Sequence, residues 1–565
     1  MISETTNPLM THLPVLAVLL PAFTAMLMLL IGDNEGLNAH GNPRLRLRRM
    51  LSLLSVGLGL AIALTLVGRA AEGELIVYRL GDWQPPFGIA LVVDRLSALM
   101  LLIAQLVALP VLWYASGGWD TQGRHFHALF QFQLMGLAGA FVTGDLFNLF
   151  VFFEVLLIAS YVLLLHGQGQ ARLKYGVHYV VLNLAASALF LIGLALIYAT
   201  TGTLSMADLM VRAAAVEPAQ VPVLQGAALL LLVVFGLKAA LVPLHLWLPA
   251  TYAAASPPVA ALFAIMTKVG CYSIIRVHGT IFGPGAGELA MVAQPWLLPL
   301  AIATSVLGVV GALAANSMAR MVAYLTVSSV GTILIGTALY DNAALSASLY
   351  YMAHSTLVIA GLFLLVELVG SQRGEMGDRL RPAAPLLQPV LLGLMMLLGA
   401  ASVAGVPPLP GFLGKLMLLQ SSTGSAAQPW VWTSVLLVGF LSLVGLARAG
   451  SILFWNVRSE LPRGGGSACS AGASPKLVAS TVALLLAGVL IAVAAGPIKR
   501  YTDDAAAQLA DRAAYAHAVL GPEGLDARTT RPYTGEAGTA PEPLHRPIER
   551  ARPETAPNAP QGRQP

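Results

Sequence analysis

Three lysines lie inside long apolar segments of the chain, where a charged side chain is expensive. They are Lys238, Lys268 and Lys415, half of the six lysines in 565 residues, whereas the 26 arginines lie mostly in short polar stretches. Arginine keeps its proton in proteins, but a lysine removed from water can lose one because desolvation lowers the pKa of an ammonium group. The pattern predicts amines that bind and release protons; inert salt bridges between helices are the alternative.

Glu154 is an acidic residue in an equally apolar setting, the aromatic stretch 147–157 (FNLFVFFEVLL). A carboxyl group there must be neutral or paired with a cation on another helix, and Lys238 is the candidate partner. A nearby ammonium favours the ionised acid, whereas separation favours the neutral form of both groups. Such a pair can convert a movement or a neighbouring charge into proton uptake and release. A static structural pair is the alternative.

Two apolar spans contain a break beside one of these lysines. Residues 236–245 (GLKAALVPLH) include Pro243, which lacks an N–H, and residues 405–415 (GVPPLPGFLGK) cannot form a continuous helix. His245 follows Lys238 by seven residues, which places both on one face of a regular helix, so it is a further candidate for a proton pathway. Irregular backbone at membrane depth lines a cavity or is packed in protein, and two broken spans of opposite orientation are typical of inverted repeats around an ion path.

Histidine supplies another titratable group in an apolar span. His354 lies in the stretch YYMAHST, and an ordinary imidazole pKa of about 6.5 suits a proton relay. A hydrogen bond to a neighbouring helix is an equally good explanation. His178 is expected at the membrane interface, and Glu367, Asp145 and Arg320 are expected at span ends, with Glu367 in contact with solvent.

The elements that must position these groups follow from composition. Of all residues, 57% are hydrophobic and 10% are charged, whereas soluble domains contain about 25% charged residues. This composition excludes a soluble enzyme and predicts an all-α polytopic membrane protein with about 14 apolar runs of roughly 20 residues. No alternating segments typical of a membrane β-barrel occur. The predicted spans are 12–31, 50–68, 95–115, 126–143, 146–165, 175–199, 225–248, 256–277, 295–315, 320–339, 345–369, 386–420, 431–455 and 476–495.

The distribution of basic residues predicts the orientation of these spans. With the N-terminus outside, fourteen Lys and Arg side chains fall in inner loops and five on the outer side, as expected for a multi-pass protein of the cell (inner) membrane. Residues 1–496 are predicted to form one transmembrane domain. Residues 497–565 are predicted to form a tail, with a short helix over 505–520 and disorder beyond Gly521.

Several classes of chemistry are not supported by any motif. The sequence has no phosphate-binding loop, dinucleotide fingerprint, CxxC pair or paired-histidine motif, and its two cysteines give no disulfide framework. We therefore expect no cofactor, no metal site and no enzymatic reaction, so the driving energy must come from an ion gradient or a partner subunit. The net charge of +5 is spread over short loops, which does not indicate nucleic-acid binding.

Three stretches closely resemble the antiporter-like subunit family: 144–154 (GDLFNLFVFFE), 237–249 (LKAALVPLHLWLP) and 252–276. This family includes proton-channel subunits of respiratory NADH:quinone oxidoreductase and the A-type and D-type subunits of multisubunit Mrp-type (Pha, Mnh) cation/proton antiporters. The likeness covers roughly residues 10–495 and is greatest to the D-type branch. One departure is the stretch 316–324, which lacks the acidic residue and the lysine found in much of the family, so no relay is expected there.

The resemblance implies a role for each candidate. Glu154 and Lys238 would be the transmembrane glutamate–lysine pair, Lys268 the bridging lysine, His354 the central relay and Lys415 the terminal lysine of the second half-channel. It also implies fourteen helices with an inverted five-helix repeat. The expected partners are other subunits of a hetero-oligomeric antiporter, protons, Na⁺ or K⁺, and the lipid bilayer.

Two other functions remain open at this point. One is a proton-pumping component of a respiratory NADH dehydrogenase or hydrogenase complex, powered by electron transfer elsewhere in that complex. The other is a structural membrane scaffold whose ionised groups hold helices together.

Overall fold

A computed structural model describes residues 8–32, 43–457 and 472–526, and these are mostly helical. The α-helices are α1 Pro8–Thr11, α2 Leu13–Ile31, α3 Pro43–Ala71, α4 Arg95–Ala115, α5 Phe126–Val142, α6 Leu146–Leu165, α7 Gln170–Thr201, α8 Met206–Arg212, α9 Val221–Ala239, α10 Trp247–Ala254, α11 Pro257–Ile274, α12 Gln294–Ala314, α13 Met318–Ala338, α14 Asn342–Gly370, α15 Pro389–Ala404, α16 Pro410–Ser421, α17 Gln428–Gly450, α18 Pro475–Val493, α19 Ala495–Ala510 and α20 Arg512–Asp526. Two of them continue as π-helix, α11 over Ile275–Ile281 and α17 over Ser451–Trp455.

Short elements fill some of the connections. Strands β1 (Ile76–Arg79) and β2 (Ala90–Val93) form an antiparallel pair between α3 and α4, with Ile76 opposite Val93. This pair was not predicted, because an outer loop of about 20 residues gave no period-two pattern long enough to indicate strands. Six 3₁₀ turns cover Leu80–Asp82, Trp119–Thr121, Ala213–Ala215, Leu244–Leu246, Gly287–Leu289 and Gly374–Met376.

The helices reproduce the predicted membrane architecture. Within the described residues, twelve helical segments are long and apolar enough to cross a membrane, and the shorter apolar helices α5 and α15 complete the predicted spans. Both predicted breaks occur, between α9 and α10 and between α15 and α16. The predicted fold class, a polytopic α-helical bundle with two broken helices, is confirmed.

Polar residues mark the first turn of several membrane helices. The side chains of Asp94, Asp145, Ser317 and Asp341 each accept a hydrogen bond from a backbone N–H of the first turn of α4, α6, α13 and α14. Such caps satisfy N–H groups that have no partner inside the helix. Asp145 therefore lies at a helix end, as predicted, and it sets the start of the helix that carries Glu154.

The centre of the bundle is formed by α11, α13 and α14, which are buried along almost their whole length. Helices such as α2, α3, α12 and α18 bury only one side, and their opposite sides expose large apolar residues, as expected for contact with lipid. Lys268 on α11 and His354 on α14 therefore lie in the part of the protein most remote from the lipid.

A buried ion pair joins α4 to α11 at the end of the bundle that is predicted to face outside, here called the outer end. Arg276 donates to both carboxylate oxygens of Asp94, at 2.6 and 2.8 Å, and both side chains are at most 2% exposed. Burial opposes ionisation of Asp94, but the Arg276 guanidinium outweighs this effect and holds the pKa of Asp94 below its usual value. Tyr515 of α20 packs its ring over the same guanidinium.

The segment after α18 packs against these outer ends. Tyr501 on α19 donates to the Arg95 carbonyl at 2.9 Å, Gln508 accepts from the Arg95 N–H at 2.9 Å, and Arg512 on α20 donates to the Met210 carbonyl at 2.6 Å. Helix α19 thus begins at the predicted domain boundary and lies over the membrane helices. The boundary itself stays a prediction, and residues 527–565 of the predicted disordered tail lie outside the described residues.

Two carboxylates are held at the opposite end, which is predicted to face inside. Asp120 accepts hydrogen bonds from Arg49 and His127; burial alone would raise the pKa of this carboxyl, but these bonds lower it to about 2. Glu367 accepts hydrogen bonds from Tyr114 and Trp119, each at 2.7 Å. Glu367 lies near the end of α14, as predicted, but it is half-buried rather than fully in contact with solvent, because aromatic donors from the end of α4 and the turn after it cover part of the carboxyl group.

The buried ion pair gives a test of what stabilises the outer end. Arg276→Met leaves the Asp94 carboxylate buried without its cation, which is expected to lower stability by about 3–5 kcal/mol. The double variant Asp94→Asn/Arg276→Met should recover part of this loss. Thermal unfolding of the purified protein in detergent measures the effect, with the exposed Arg320→Met as the control. Equal unfolding temperatures for Arg276→Met and Arg320→Met would contradict the assignment.

Candidate proton pathway

Glu154 lies on α6 and is half-buried against α7. The hydroxyl of Ser187 on α7 donates a hydrogen bond to Glu154 Oε1. A carboxyl group in an apolar bundle needs such a donor to remain ionised. The acid identified from the sequence is therefore placed inside the bundle with a neutral partner.

Lys238 occupies the last turn of α9 and is 6% exposed. Its Nζ donates to Asn183 Oδ1 on α7 at 3.1 Å and lies 5.7 Å from the centroid of the Phe153 ring. Among the ion pairs of the described residues, none joins Lys238 to Glu154. Each of the two predicted partners instead hydrogen-bonds a side chain of α7, Glu154 to Ser187 and Lys238 to Asn183.

Those side chains form a polar line on one face of α7. Tyr179, Asn183 and Ser187 follow each other at intervals of four residues, so they share a face. Ser187 Oγ can donate to the Asn183 carbonyl at 3.0 Å, and Asn183 Nδ2 donates to the Tyr179 carbonyl at 2.9 Å. Neither Asn183 nor Ser187 was among the residues identified from the sequence. Their spacing in an otherwise apolar span was the available signal.

The break after α9 exposes backbone groups that other helices satisfy. Ala240 ends the helix with a left-handed backbone, φ 61°. Thr304 of α12 accepts from the Val242 N–H at 2.9 Å, and Trp247 of α10 donates to the Leu237 carbonyl at 3.1 Å. This arrangement fits the rule that irregular backbone at membrane depth must be packed in protein.

His245 lies beyond this break and is half-buried. The prediction that it shares a face with Lys238 assumed an uninterrupted helix, and the turn at 240–246 removes that register. In the described part of the chain, no hydrogen bond or ring contact joins His245 to another candidate. His178 is exposed on α7, as expected for an interfacial side chain.

Lys268 is fully buried on α11 and donates to Ser329 Oγ of α13 at 3.3 Å. Helix α11 lies very close to the end of α9, because a Cβ added at Gly270 would be 2.5 Å from the Ala239 nitrogen. The absence of a side chain at Gly270 therefore allows the helices that carry Lys238 and Lys268 to approach each other.

Lys415 lies beside the second break. It is 7% exposed, and its Nζ donates to the carbonyls of Val403 and Ala404 at 3.0 and 2.9 Å. These carbonyls end α15, where Gly405 adopts φ 85°. A cation at a helix C-terminus interacts favourably with carbonyls that have no intrahelical partner, so Lys415 caps the half-helix.

His354 is 1% exposed on α14 and faces this second break. Its ring lies against the Ser402 carbonyl and Gly411, and its Nδ1 has no hydrogen-bond partner in the described residues. An imidazole with one unpartnered nitrogen can accept a proton from a water molecule or a neighbouring group. The geometry thus places His354 next to the half-helix that Lys415 caps.

The helices that carry the candidates form a continuous series: α6 packs against α7, α7 against α9, α9 against α11, α11 against α14, and α14 against α16. Glu154, Lys238, Lys268, His354 and Lys415 therefore follow one another across the bundle. None of them hydrogen-bonds directly to another within the described residues. Proton transfer along this series requires water molecules between the side chains.

The comparisons with known proteins agree on one family. The family described as NADH:quinone oxidoreductase/Mrp antiporter, TM, matches residues 143–443. The D-type member of a probable K⁺/H⁺ antiporter of Rhizobium meliloti is 39% identical, with 90% of this chain and 97% of the relative covered. The D-type member of the Na⁺/H⁺ antiporter of Bacillus subtilis is 33% identical, with 90% and 100% covered. One solved structure, of the Mrp complex from Dietzia sp. DQ12-45-1b, includes a polypeptide with a TM-score of 0.78 at 27% identity, covering 91% of this chain and 100% of that one.

The second break gives a further test of the structure. A Cβ at Gly411 would overlap the Ser402 carbonyl oxygen beside His354, so Gly411→Ala must displace one half-helix, at an expected cost of about 1–3 kcal/mol. The matched control is Gly393→Ala on α15, where the nearest atom would be at an ordinary 3.5 Å. Thermal unfolding in detergent compares the two variants. A destabilisation no larger than that of Gly393→Ala would show that this contact is misplaced.

Proposed function

The chain belongs to the NADH:quinone oxidoreductase/Mrp antiporter family, and on that premise we propose that it is the D-type membrane component of a multisubunit Na⁺/H⁺ or K⁺/H⁺ antiporter in the cell membrane. Relatives that match it over nearly their whole length carry these two antiporter names. The protein is then part of a secondary transporter rather than an enzyme. Its partners are the other subunits of the antiporter complex, and the energy comes from an ion gradient.

The observation that supports proton transport is the neutral environment of the three buried amines. Lys238, Lys268 and Lys415 donate to an amide oxygen, a hydroxyl and two backbone carbonyls, respectively. The pair Asp94–Arg276 shows what a fixed ion pair looks like in this chain, with two direct hydrogen bonds between opposite charges. A neutral acceptor can hold an amine with or without its extra proton, whereas loss of a proton from a direct ion pair leaves a buried charge unpaired. This difference favours transport over a static scaffold.

Within this proposal each candidate has a role. Lys238 accepts and releases the proton, and Glu154 adjusts the proton affinity of Lys238 through its charge. Lys268, His354 and Lys415 continue the pathway across the centre of the bundle, and water molecules connect successive groups. His245, at the first break, stays a further candidate for the entrance to Lys238.

A role as a proton-pumping component of a respiratory complex has less support. The relatives at 39% and 33% identity are both antiporter subunits and match almost end to end. The proposal therefore takes the antiporter as the function, with the proton carried in exchange for Na⁺ or K⁺.

The substitution Lys238→Arg tests the requirement for a titrating amine. Arginine keeps the positive charge and the hydrogen bonding but does not release its proton, so exchange driven by a pH gradient should fall at least about tenfold, the size of a 1.4 kcal/mol effect. Lys238→Ala and Glu154→Ala should also abolish exchange. Flux is measured in vesicles that contain the complete complex, with the exposed Lys174→Arg as the matched control.

Co-purification of the other subunits shows whether each variant assembles. Exchange by assembled Lys238→Arg at the rate of Lys174→Arg would overturn the proposal, because a scaffold lysine tolerates a guanidinium group.

A further inference from the structure

We infer that Asn183 and Ser187 of α7 are positioning residues: Ser187 holds Glu154, the side chain of Asn183 holds Lys238, and the protonation of Glu154 decides whether Ser187 also bonds the backbone of Asn183. The inference rests on the proposed function and assigns the coupling between the acid and the lysine. Neither residue was among the candidates from the sequence. Both are more than nine-tenths buried.

The chain of contacts runs through three helices. Ser187 Oγ lies within hydrogen-bond distance of both Glu154 Oε1 on α6 and the Asn183 carbonyl on its own helix. The amide of the same Asn183 accepts from Lys238 Nζ on α9 at 3.1 Å. Ser187 thus contacts the backbone carbonyl of Asn183, and Lys238 contacts the side-chain Oδ1 of the same residue, so both contacts meet at Asn183.

The hydroxyl of Ser187 has one hydrogen for two acceptors. When Glu154 is ionised it can only accept, so Ser187 donates to it and the Asn183 carbonyl loses this bond. When Glu154 is protonated its O–H can donate to Ser187, and the hydroxyl hydrogen is then free to turn to the Asn183 carbonyl at 3.0 Å. The protonation of Glu154 thus decides whether Ser187 adds a hydrogen bond to the backbone carbonyl of Asn183, the residue whose side chain holds Lys238.

The amide of Asn183 is fixed in orientation. Its Nδ2 donates to the Tyr179 carbonyl at 2.9 Å, which turns Oδ1 toward Lys238. An amide oxygen accepts from an ammonium group without supplying a full negative charge. Asn183 therefore gives the amine a neutral acceptor in place of a carboxylate, which avoids a direct ion pair that would lock both charges in place.

Glu154 is the acidic side chain that Ser187 links to the face of α7 on which Asn183 holds Lys238. Other buried titratable side chains lie on α7 and on the helices packed against α7 and α9. In the described residues, none of them makes a side-chain hydrogen bond to Glu154, Ser187 or Lys238, so we expect their effect on the pH profile to be the same in all variants. They are Tyr179, Tyr252, Lys268, Cys271, Tyr272, Arg276 and His278, together with the half-buried Tyr161.

Two isosteric substitutions of Asn183 give opposite predictions. Asn183→Asp places a carboxylate against Lys238 and favours its charged form, so the pH profile of exchange should move to higher pH by about 1 unit or more. Asn183→Leu removes the acceptor and disfavours the charged form, so the profile should move to lower pH. Exchange is measured from about pH 6 to 10 in vesicles that hold the complete complex. A merely structural residue would lower the rate in both variants without moving the profile.

Serine substitutions keep the test decisive if an Asn183 variant fails to assemble. Ser187→Ala breaks the chain and should lower exchange about tenfold, with a displaced pH profile. Ser160→Ala is the matched control, because Ser160 is a buried serine on α6 that hydrogen-bonds Tyr179 instead of Glu154. Exchange within about twofold of the parent protein is expected for Ser160→Ala.

The results also separate this inference from the proposed function. If Lys238→Arg abolishes exchange while assembled Asn183 and Ser187 variants keep the parent pH profile, the inference is wrong and the function stands. If Lys238→Arg exchanges normally, the proposed function fails first. Equal effects of Ser187→Ala and Ser160→Ala would also overturn the inference.

Discussion

The free-energy cost of holding a charge away from water governs how every ionisable group in this bundle is placed. The chain meets this cost in two ways. Asp94 and Arg276 neutralise each other through two direct hydrogen bonds at the outer end of α4 and α11. The buried lysines instead meet neutral oxygen atoms. The first arrangement holds two charges permanently, and the second leaves the amine able to exist with or without its extra proton.

The broken helices provide part of this neutral environment, and the two breaks do so differently. At the second break the carbonyls that end α15 are bound by Lys415 itself. At the first break the Trp247 ring N–H donates a hydrogen bond to the Leu237 carbonyl, and Lys238 donates to the side-chain amide of Asn183 on α7. The half with Glu154 therefore places an amide between acid and amine, whereas the other half binds its amine with backbone alone. The lysines beside the two breaks therefore differ in their acceptors, a side-chain amide at the first break and backbone carbonyls at the second.

Residue type and local pattern were enough to predict the fold and the candidate residues, but not their contacts. Lysine and glutamate in apolar spans stand out without any structure, and the prolines near 243 and 407–410 break helices by their chemistry. Asn183 and Ser187 were missed, because each alone is an ordinary small polar residue and only their spacing of four, together with Tyr179, indicates a polar face of α7. The pair Asp94–Arg276 joins residues 182 positions apart, and the enclosure of Glu367 by Tyr114 and Trp119 depends on how α4 meets α14. Such contacts are set by tertiary packing. The predicted shared face of His245 and Lys238 failed for another reason, because a turn interrupts the helix between them.

The most direct measurement of the central claim is the chemical reactivity of the buried amines under a proton gradient. A membrane-permeant acylating reagent modifies an amine only in its uncharged form, and peptide mass spectrometry then quantifies the modified fraction of each lysine in the reconstituted complex. The account predicts that modification of Lys238, Lys268 and Lys415 changes when the direction of the imposed pH gradient is reversed, whereas modification of the exposed Lys174 follows only the pH on its own side. Three buried lysines that stay unmodified under both gradients, while Lys174 reacts, would contradict the account.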